Sequence, residues 1–418
     1  MNEYVALLRK NHNYRNLWLG RVVSNLGDWF NLLASATLIA TLTDAGTAIS
    51  YLFLARFLPV FVMSPLAGVL ADRYNRRNIL IAADVLRAAT VLCFLLVRSP
   101  DQLWLLYVLT VVQFILSALY TPAHSAVLSN IVEPEELVAA NTLDAFTWST
   151  MLAVGSLLGG IAAALFGVAT AFVIDAFTFL LSAWFVARIA LPPRQAEEHH
   201  GAGFLEFLDG LRYLRGARFI LVLSLVKAGG ALIWGAINVL EIPLANQVFA
   251  VNGNGALALG VLYATTGIGT GIGPIVIRRI MGDSRPAILG SITLGFVLLT
   301  AGLFWLALAP SLAWGVGATL TRALGTGALW VFSSALLQMS VADRFRGRVF
   351  AFEFAVLTLT QSVSTLWAGL AQDSLGLSVQ QVLFTMALAS VVVTAVWAAF
   401  QLRVGDSVTG WQNDRMTG

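Results

Sequence analysis

Twelve times along this chain an apolar run is long enough to cross a bilayer, and that repetition limits the fold more than any motif does. A spanning helix needs about 20 predominantly apolar residues. Runs of that kind fall at 16–42, 47–70, 78–98, 102–124, 141–166 and 169–190, then, after a polar stretch, at 219–246, 255–280, 285–308, 311–338, 346–371 and 379–403. An open sheet edge cannot face lipid, so all twelve read as helices. Composition agrees: 58% of the 418 residues are hydrophobic and 11% are charged, against about 25% charged in a soluble domain. The expected fold is an all-α polytopic membrane protein of two six-helix bundles.

The placement of the basic residues sets the expected orientation. Arg9, Lys10 and Arg15 precede the first run, and Arg73, Arg76 and Arg77 lie between the second and third. Arg188, Arg194, Arg212, Arg215 and Arg218 mark the central stretch; Arg278, Arg279 and Arg285, then Arg344, Arg346 and Arg348, follow in alternate loops, with Arg403 and Arg415 after the last run. The opposite loops hold only Arg98. The positive-inside rule then puts both termini in the cytoplasm. The net charge of +3 is too small and too dispersed for nucleic-acid binding. The single Cys93 excludes an intrachain disulfide, and Met1–Lys10 lacks the pattern of a cleaved signal peptide.

Three segments are expected: a bundle over 1–190, a cytoplasmic linker over 191–218 and a second bundle over 219–418. In the linker, Phe204, Leu205, Leu208, Leu211 and Leu214 recur at helical spacing with charges between them, the pattern of an amphipathic helix on a membrane surface. His199–His200 reads as solvated linker rather than metal site. The bundles are related by an offset of 209 residues. It carries Pro65 to Pro274, Arg76 to Arg285, Ile79–Leu80 to Ile288–Leu289, Ser125–Ala126 to Ser334–Ala335, Asp144 to Glu353, Gly160 to Gly369 and Gly167 to Gly376. Parallel repeats of six spans belong to transporters that rock around a site near mid-bilayer.

Between the second and third runs the chain reads Gly68-Val-Leu-Ala-Asp72-Arg73-Tyr-Asn75-Arg76-Arg77. This resembles the signature loop of the major facilitator superfamily, G-x-L-A-D-R-x-G-R-R. Asn75 replaces the family's Gly; Asn tolerates the left-handed conformation, so the turn is expected to survive. The resemblance implies that Gly68, Asp72, Arg73, Arg76 and Arg77 latch one conformational state. Asp144 and Glu353, near the starts of their runs, would be latch partners. Gly155-Ser-Leu-Leu-Gly159-Gly160 resembles the antiporter motif G-P-x-x-G-G, with Ser156 for Pro; close helix packing by small residues is the other reading. Leu26-Gly27-Asp28-Trp29, Val173-Ile174-Asp175-Ala176 and Arg346-Gly347-Arg348-Val349-Phe350 resemble the bacterial enterobactin-exporter and macrolide-efflux branch. The resemblance implies a bacterial inner-membrane exporter driven by protons, acting as a monomer on a small molecule. Where family antiporters carry R-x-x-Q-G in the fourth run, this chain has Thr110-Val-Val-Gln113-Phe114, so coupling would have to be carried elsewhere.

Ionisable groups inside a membrane are functional candidates by default. Arg21, Ser24, Asn25, Asp28, Asn31 and Ser35 follow one another in steps of three and four, on one helix face. Asp28 lies roughly 18 Å along its helix. It is the candidate proton-coupling site; a fixed ion pair with Arg21 or Arg56 is the alternative. The family fold places the fourth, seventh and tenth runs around the same cavity. Their candidates are Gln113, Tyr120 and His124; Lys227, Trp234, Asn238 and Glu241; and Arg322, Thr326 and Trp330. Asp84 and Arg87, three apart, are expected to pair, and Asp175 reads as structural. No zinc motif, phosphate-binding loop or nucleophile elbow occurs, so neither an enzyme nor a cofactor is expected. Two cavity cations with aromatic residues suggest an anionic or amphipathic cargo such as a siderophore or drug. A facilitator or importer of the same fold, or a lysolipid carrier, is the alternative.

Overall fold

A computed structural model of the chain describes residues 2–133, 136–190, 212–250, 255–282, 284–341 and 343–414. The described residues are helical wherever an apolar run was expected. The helices are α1 (Asn2–Lys10), α2 (His12–Leu42), α3 (Gly46–Arg73), α4 (Arg76–Cys93), α5 (Leu103–Ile131), α6 (Leu137–Phe166) and α7 (Val168–Ala187). After the central stretch come α8 (Arg218–Ser224), α9 (Val226–Gln247), α10 (Gly255–Met281), α11 (Arg285–Ala307), α12 (Leu312–Ser340), α13 (Asp343–Asp373) and α14 (Val379–Asp414). Most of the amphipathic helix expected over 204–215, and His199–His200, fall outside the described residues; 212–216 is helical.

Among the described residues, eleven helical stretches are long and apolar enough to cross a membrane. The one expected span missing from them is α2, which has 31 residues and ample length. Its hydropathy is lowered by Arg21, Asn25, Asp28 and Asn31, the polar face that looks into protein rather than lipid. The seventh span is interrupted. Leu225 ends α8 with its N–H on the Val222 carbonyl at 3.1 Å, a tighter turn than the α-helix, two residues before Lys227.

The 209-residue offset reappears in the local chemistry of the turns. Asn75 caps α4, its side chain accepting from the N–H groups of Arg77 and Asn78. Its counterpart Ser284 caps α11, accepting from Ala287 N–H. Gly167 and Gly376, also 209 apart, both have positive φ, 81° and 64°, where a side chain would clash with the backbone. The left-handed Asn75 expected from the motif is corrected: Asn75 has φ −65° and ψ 113°. An extended backbone at the N-cap lets its amide oxygen turn back onto the helix start, which the family's Gly cannot do.

The chain divides into two compact units, Met1–Ala202 with Glu241–Gly267, and Gly203–Leu240 with Ile268–Gly418. In the first, α4 packs on α5 and α7; in the second, their counterparts repeat the arrangement, α11 packing on α12 and α14. The interior is apolar, with Tyr14, Leu17, Leu80, Val127 and Val186 fully buried in one cluster. Large apolar side chains such as Leu165, Phe177, Leu308 and Val396 stand more than half exposed, as lipid-facing positions should.

Candidate functional site

The polar face of α2 opens onto a cavity of about 230 Å³ inside the first unit. Arg21, Ser24, Asn25, Asp28 and Trp29 form its α2 wall. Arg56 comes from α3, Arg87 from α4, Phe114, Ser117, Tyr120 and Thr121 from α5, and Trp148 from α6. Steps of three and four on α2 are what bring four polar groups to one side.

The two buried arginines are held by aromatic rings and by neighbours on other helices. The Arg56 guanidinium lies 4.5 Å from the Phe114 ring centroid. That of Arg87 lies between Tyr120 at 4.7 Å and Phe179 at 4.3 Å. Arg87 also donates to Asp84, as expected from the spacing, and to Ser117 Oγ at 3.4 Å. Ser182 Oγ donates to the other Asp84 oxygen at 2.7 Å. Such stacking orients a guanidinium while leaving donors free, and one Arg56 Nη and the Arg87 Nε have no hydrogen-bond partner among the described residues.

Asp28 is placed differently. Arg87, Arg56 and Arg21 all act on it electrostatically. Yet no ion pair within 4.0 Å involves Asp28 among the described residues, so neither Arg21 nor Arg56 is fixed to it. One residue earlier, Gly27 lets α7 approach: a Cβ there would stand 1.9 Å from Thr178 Oγ1 and 2.4 Å from Asp175 Oδ1. Two residues later the small-residue motif seats α6. A Cβ at Gly155 would meet the Trp29 ring at 2.9 Å, and one at Gly159 the Trp29 carbonyl at 3.2 Å. Gly160 faces Ala256 O and Gly260 Cα of α10, at 2.7 and 3.0 Å from its missing Cβ. The motif therefore packs the segment that carries Asp28.

The other sequence candidates separate. Arg21, Asn25, Asp28 and Tyr120 share the cavity wall, whereas Gln113, Asn31 and His124 are buried away from it. His124 stacks on Tyr120 with ring centroids 5.9 Å apart and has Nδ1 3.8 Å from Asp144. In the second unit Lys227 is not an open cation. Its ammonium lies 3.1 Å from Glu353 Oε2, donates to Ser334 Oγ at 2.6 Å and sits 4.6 Å from the Trp330 ring centroid. Glu353, expected to meet loop arginines, is thus engaged by α9. Trp234 folds back over Gly230, whose Cβ would stand 2.3 Å from the ring. Asn238 is half-buried. Arg322 is 3% exposed, and Glu241, which α9 carries into the packed interior of the first unit, is 1% exposed. Thr326 Oγ1 is turned back onto the Arg322 carbonyl at 3.0 Å.

The loop arginines tie helices together at one end of the first unit. Arg77 donates to the Ala187 carbonyl, the last residue of α7, and Arg76 to Ala126 O of α5 at 3.4 Å. A cation at a helix C-terminus is favourably placed. The side chains of Gly68, Asp72 and Arg73 lie outside the described part.

Arg56, Arg87, Trp29, Phe114 and Trp148 were not read as lining a cavity. One signal in the sequence separates the charged group from scaffold. Shifted by 209, Asp28, Arg56, Asp84, Arg87 and Asp175 fall on Ile237, Thr265, Thr293, Phe296 and Phe384. The second half builds the same helices without any of these charges, so the repeated helix plan does not by itself call for them.

Comparison with known proteins gives a consistent family. The model described as Major Facilitator Superfamily matches residues 17–365. The uncharacterized MFS-type transporter YfiS of Bacillus subtilis is 32% identical over 214 residues, 50% of this chain and 51% of that protein; this chain thus matches about half the length of YfiS. The putative bacilysin exporter BacE of Bacillus subtilis is 25% identical over 85% of this chain and 87% of its own. Macrolide efflux protein A of Streptococcus pyogenes is 23% identical over 87% and 90%. Among solved structures, a bacterial homolog of the human lysosomal transporter Spinster superposes with a TM-score of 0.72 at 16% identity, covering 94% of this chain and 96% of that one. That likeness establishes the fold alone.

Proposed function

Given that the chain belongs to the major facilitator superfamily, we propose that this membrane transporter is an exporter of small anionic or amphipathic molecules, working by alternating access against an inward flow of protons, with Asp28 as the coupling carboxyl. The observation that carries the reading is Asp28 itself, a carboxyl on a cavity wall under three guanidinium groups and fixed to none. A carboxylate without a committed partner can gain a proton without breaking an ion pair. An amphipathic cargo would set its anionic group against Arg21, Arg56 and Arg87 and a hydrogen-bond donor against the ionised Asp28, and protonation removes that acceptor. Proton and cargo thus compete for one carboxyl, and binding of one favours release of the other, as exchange requires.

Phe114, Tyr120, Trp29 and Trp148 give the cavity aromatic walls, suited to an amphipathic or aromatic cargo. The R-x-x-Q-G arginine absent from the fourth span has substitutes in space: Arg56 stacks on Phe114 and Arg87 bonds Ser117, both on α5. Export is supported by the exporters BacE and macrolide efflux protein A among the relatives. The basic loops support cytoplasmic termini and the bacterial inner membrane as its location, and the transporter acts as a monomer.

The test is efflux of a fluorescent amphipathic anion in everted vesicles, with and without a pH gradient. Wild-type uptake into everted vesicles should follow the gradient, and Asp28→Asn should abolish gradient-driven uptake while retaining counterflow. Full gradient-driven transport by Asp28→Asn removes the coupling role. Counterflow indifferent to the gradient in the wild type would instead favour a facilitator.

A further inference from the structure

Asp175 is a buried carboxyl of the first unit that lies outside the cavity wall and makes no ion pair within 4.0 Å among the described residues. It is 0% exposed, and neither of its oxygens has a hydrogen-bond partner among the described residues. The hydroxyl of Thr178 is not available to it, because that group donates to the Asp175 backbone carbonyl at 2.7 Å. The carboxyl is pressed against Gly27, where a Cβ would come within 2.4 Å of Oδ1. No water-sized gap is needed to explain the position: α2 and α7 cross there.

An ionised carboxylate in such a place loses its hydration, a cost of several kcal/mol, and the guanidinium groups that could offset it are shared with other carboxyls. The groups that face it are Asp28 and Asn31 from α2, Arg56 from α3 and Arg87 from α4. Both arginines also face Asp28, and Arg87 is committed to Asp84. Arg21 is shared between Asp28 and Asp144. Four carboxyls, Asp28, Asp84, Asp144 and Asp175, therefore divide three guanidinium groups, and one proton balances the set.

Asn31 shows where that proton belongs. Its amide is 1% exposed, and both its nitrogen and its oxygen lack partners. A carboxylate can only accept, leaving the amide oxygen unsatisfied. A neutral carboxylic acid donates through O–H to the amide oxygen and accepts from the amide N–H, so paired with Asn31 it satisfies both groups. We propose that Asp175 is a second proton-binding side chain of this transporter, held as a neutral acid against the Asn31 amide behind Asp28. In that state it adds no negative charge beside Asp28, and the three arginines act on Asp28 undiluted.

The proposal does not depend on Asp28 being the coupling site, and its experiment separates the two. Full-length protein in lipid nanodiscs, with and without carboxyl-13C aspartate, is examined by infrared spectroscopy at neutral pH. A carbonyl band of a protonated carboxylic acid is expected, shifted by the label, absent from Asp175→Asn and retained in Asp28→Asn. Asp175→Asn, a neutral isostere, should also keep the thermal unfolding midpoint of the wild type. Absence of the band in the wild type, or its persistence in Asp175→Asn, overturns the proposal. So does a large loss of stability in Asp175→Asn, which would reveal an ionised group serving an ion pair. Should the variant not fold, a labelled acid band that survives in each of Asp28→Asn, Asp84→Asn and Asp144→Asn supports the proposal, and its loss in any one of them overturns it.

Discussion

The Lys227–Glu353 pair allows a quantitative test of how the second unit is held together. The two side chains are 6% and 4% exposed and 3.1 Å apart, on α9 and α13, 126 residues from each other in sequence. Removing one partner of a buried pair leaves an uncompensated charge and costs about 3–5 kcal/mol, whereas replacing both by neutral groups of similar size is far milder. Glu353→Gln leaves the ammonium with Ser334 and the Trp330 ring, so its loss should fall at the lower end, about 3 kcal/mol. Lys227→Met strands the Glu353 carboxylate, one of whose oxygens already lacks a partner, and should cost about 4 kcal/mol. The double variant should lose less than the sum of the two by about 2 kcal/mol or more, well outside the roughly 0.5 kcal/mol scatter of independent sites. Denaturant unfolding in mixed micelles measures all three. Additive losses would refute the reading that the two charges are each other's main partner, and so would a Glu353→Gln variant as stable as the wild type.

Three further outcomes follow from single contacts. Gly27→Ala should separate α2 from α7, since a Cβ would overlap Thr178 Oγ1 and Asp175 Oδ1; a loss of about 1–3 kcal/mol is expected, read as a lower thermal midpoint, and unchanged stability would mean the crossing is loose. Gly160→Leu should disrupt the approach of α6 to Gly260 and abolish transport, whereas Gly167→Asn, where φ is 81° but nothing lies within 4 Å, should cost about 1–3 kcal/mol of stability and leave transport in the same vesicle assay. Asn75→Ala removes the cap of α4 and should cost about 1 kcal/mol, with Asn75→Asp recovering it; equal stability of all three would dispose of the capping role.

Helix positions were legible in the sequence because a bilayer imposes a one-dimensional rule: about 20 apolar residues, flanked by charges on one side. The offset of 209 residues was legible for a similar reason, since caps and left-handed glycines such as Asn75, Ser284, Gly167 and Gly376 report local backbone geometry. Periodicity also gathered Arg21, Asn25 and Asp28 on one face of α2, and the three-residue step joined Asp84 to Arg87. What lies across that face depends on how neighbouring helices are rotated. Lys227 could be read as an open cation because nothing local announces Glu353. Asp175 passed for structural because its isolation is a fact about Gly27 and Asn31, well over a hundred residues away. Sequence by itself determined the solvent of this protein, the number and pitch of its spanning helices and the duplication behind them. Only tertiary packing decided which buried charges neutralise one another, because Coulomb and desolvation energies depend on angstrom-scale separations between helices that the chain brings together from distant parts of its length.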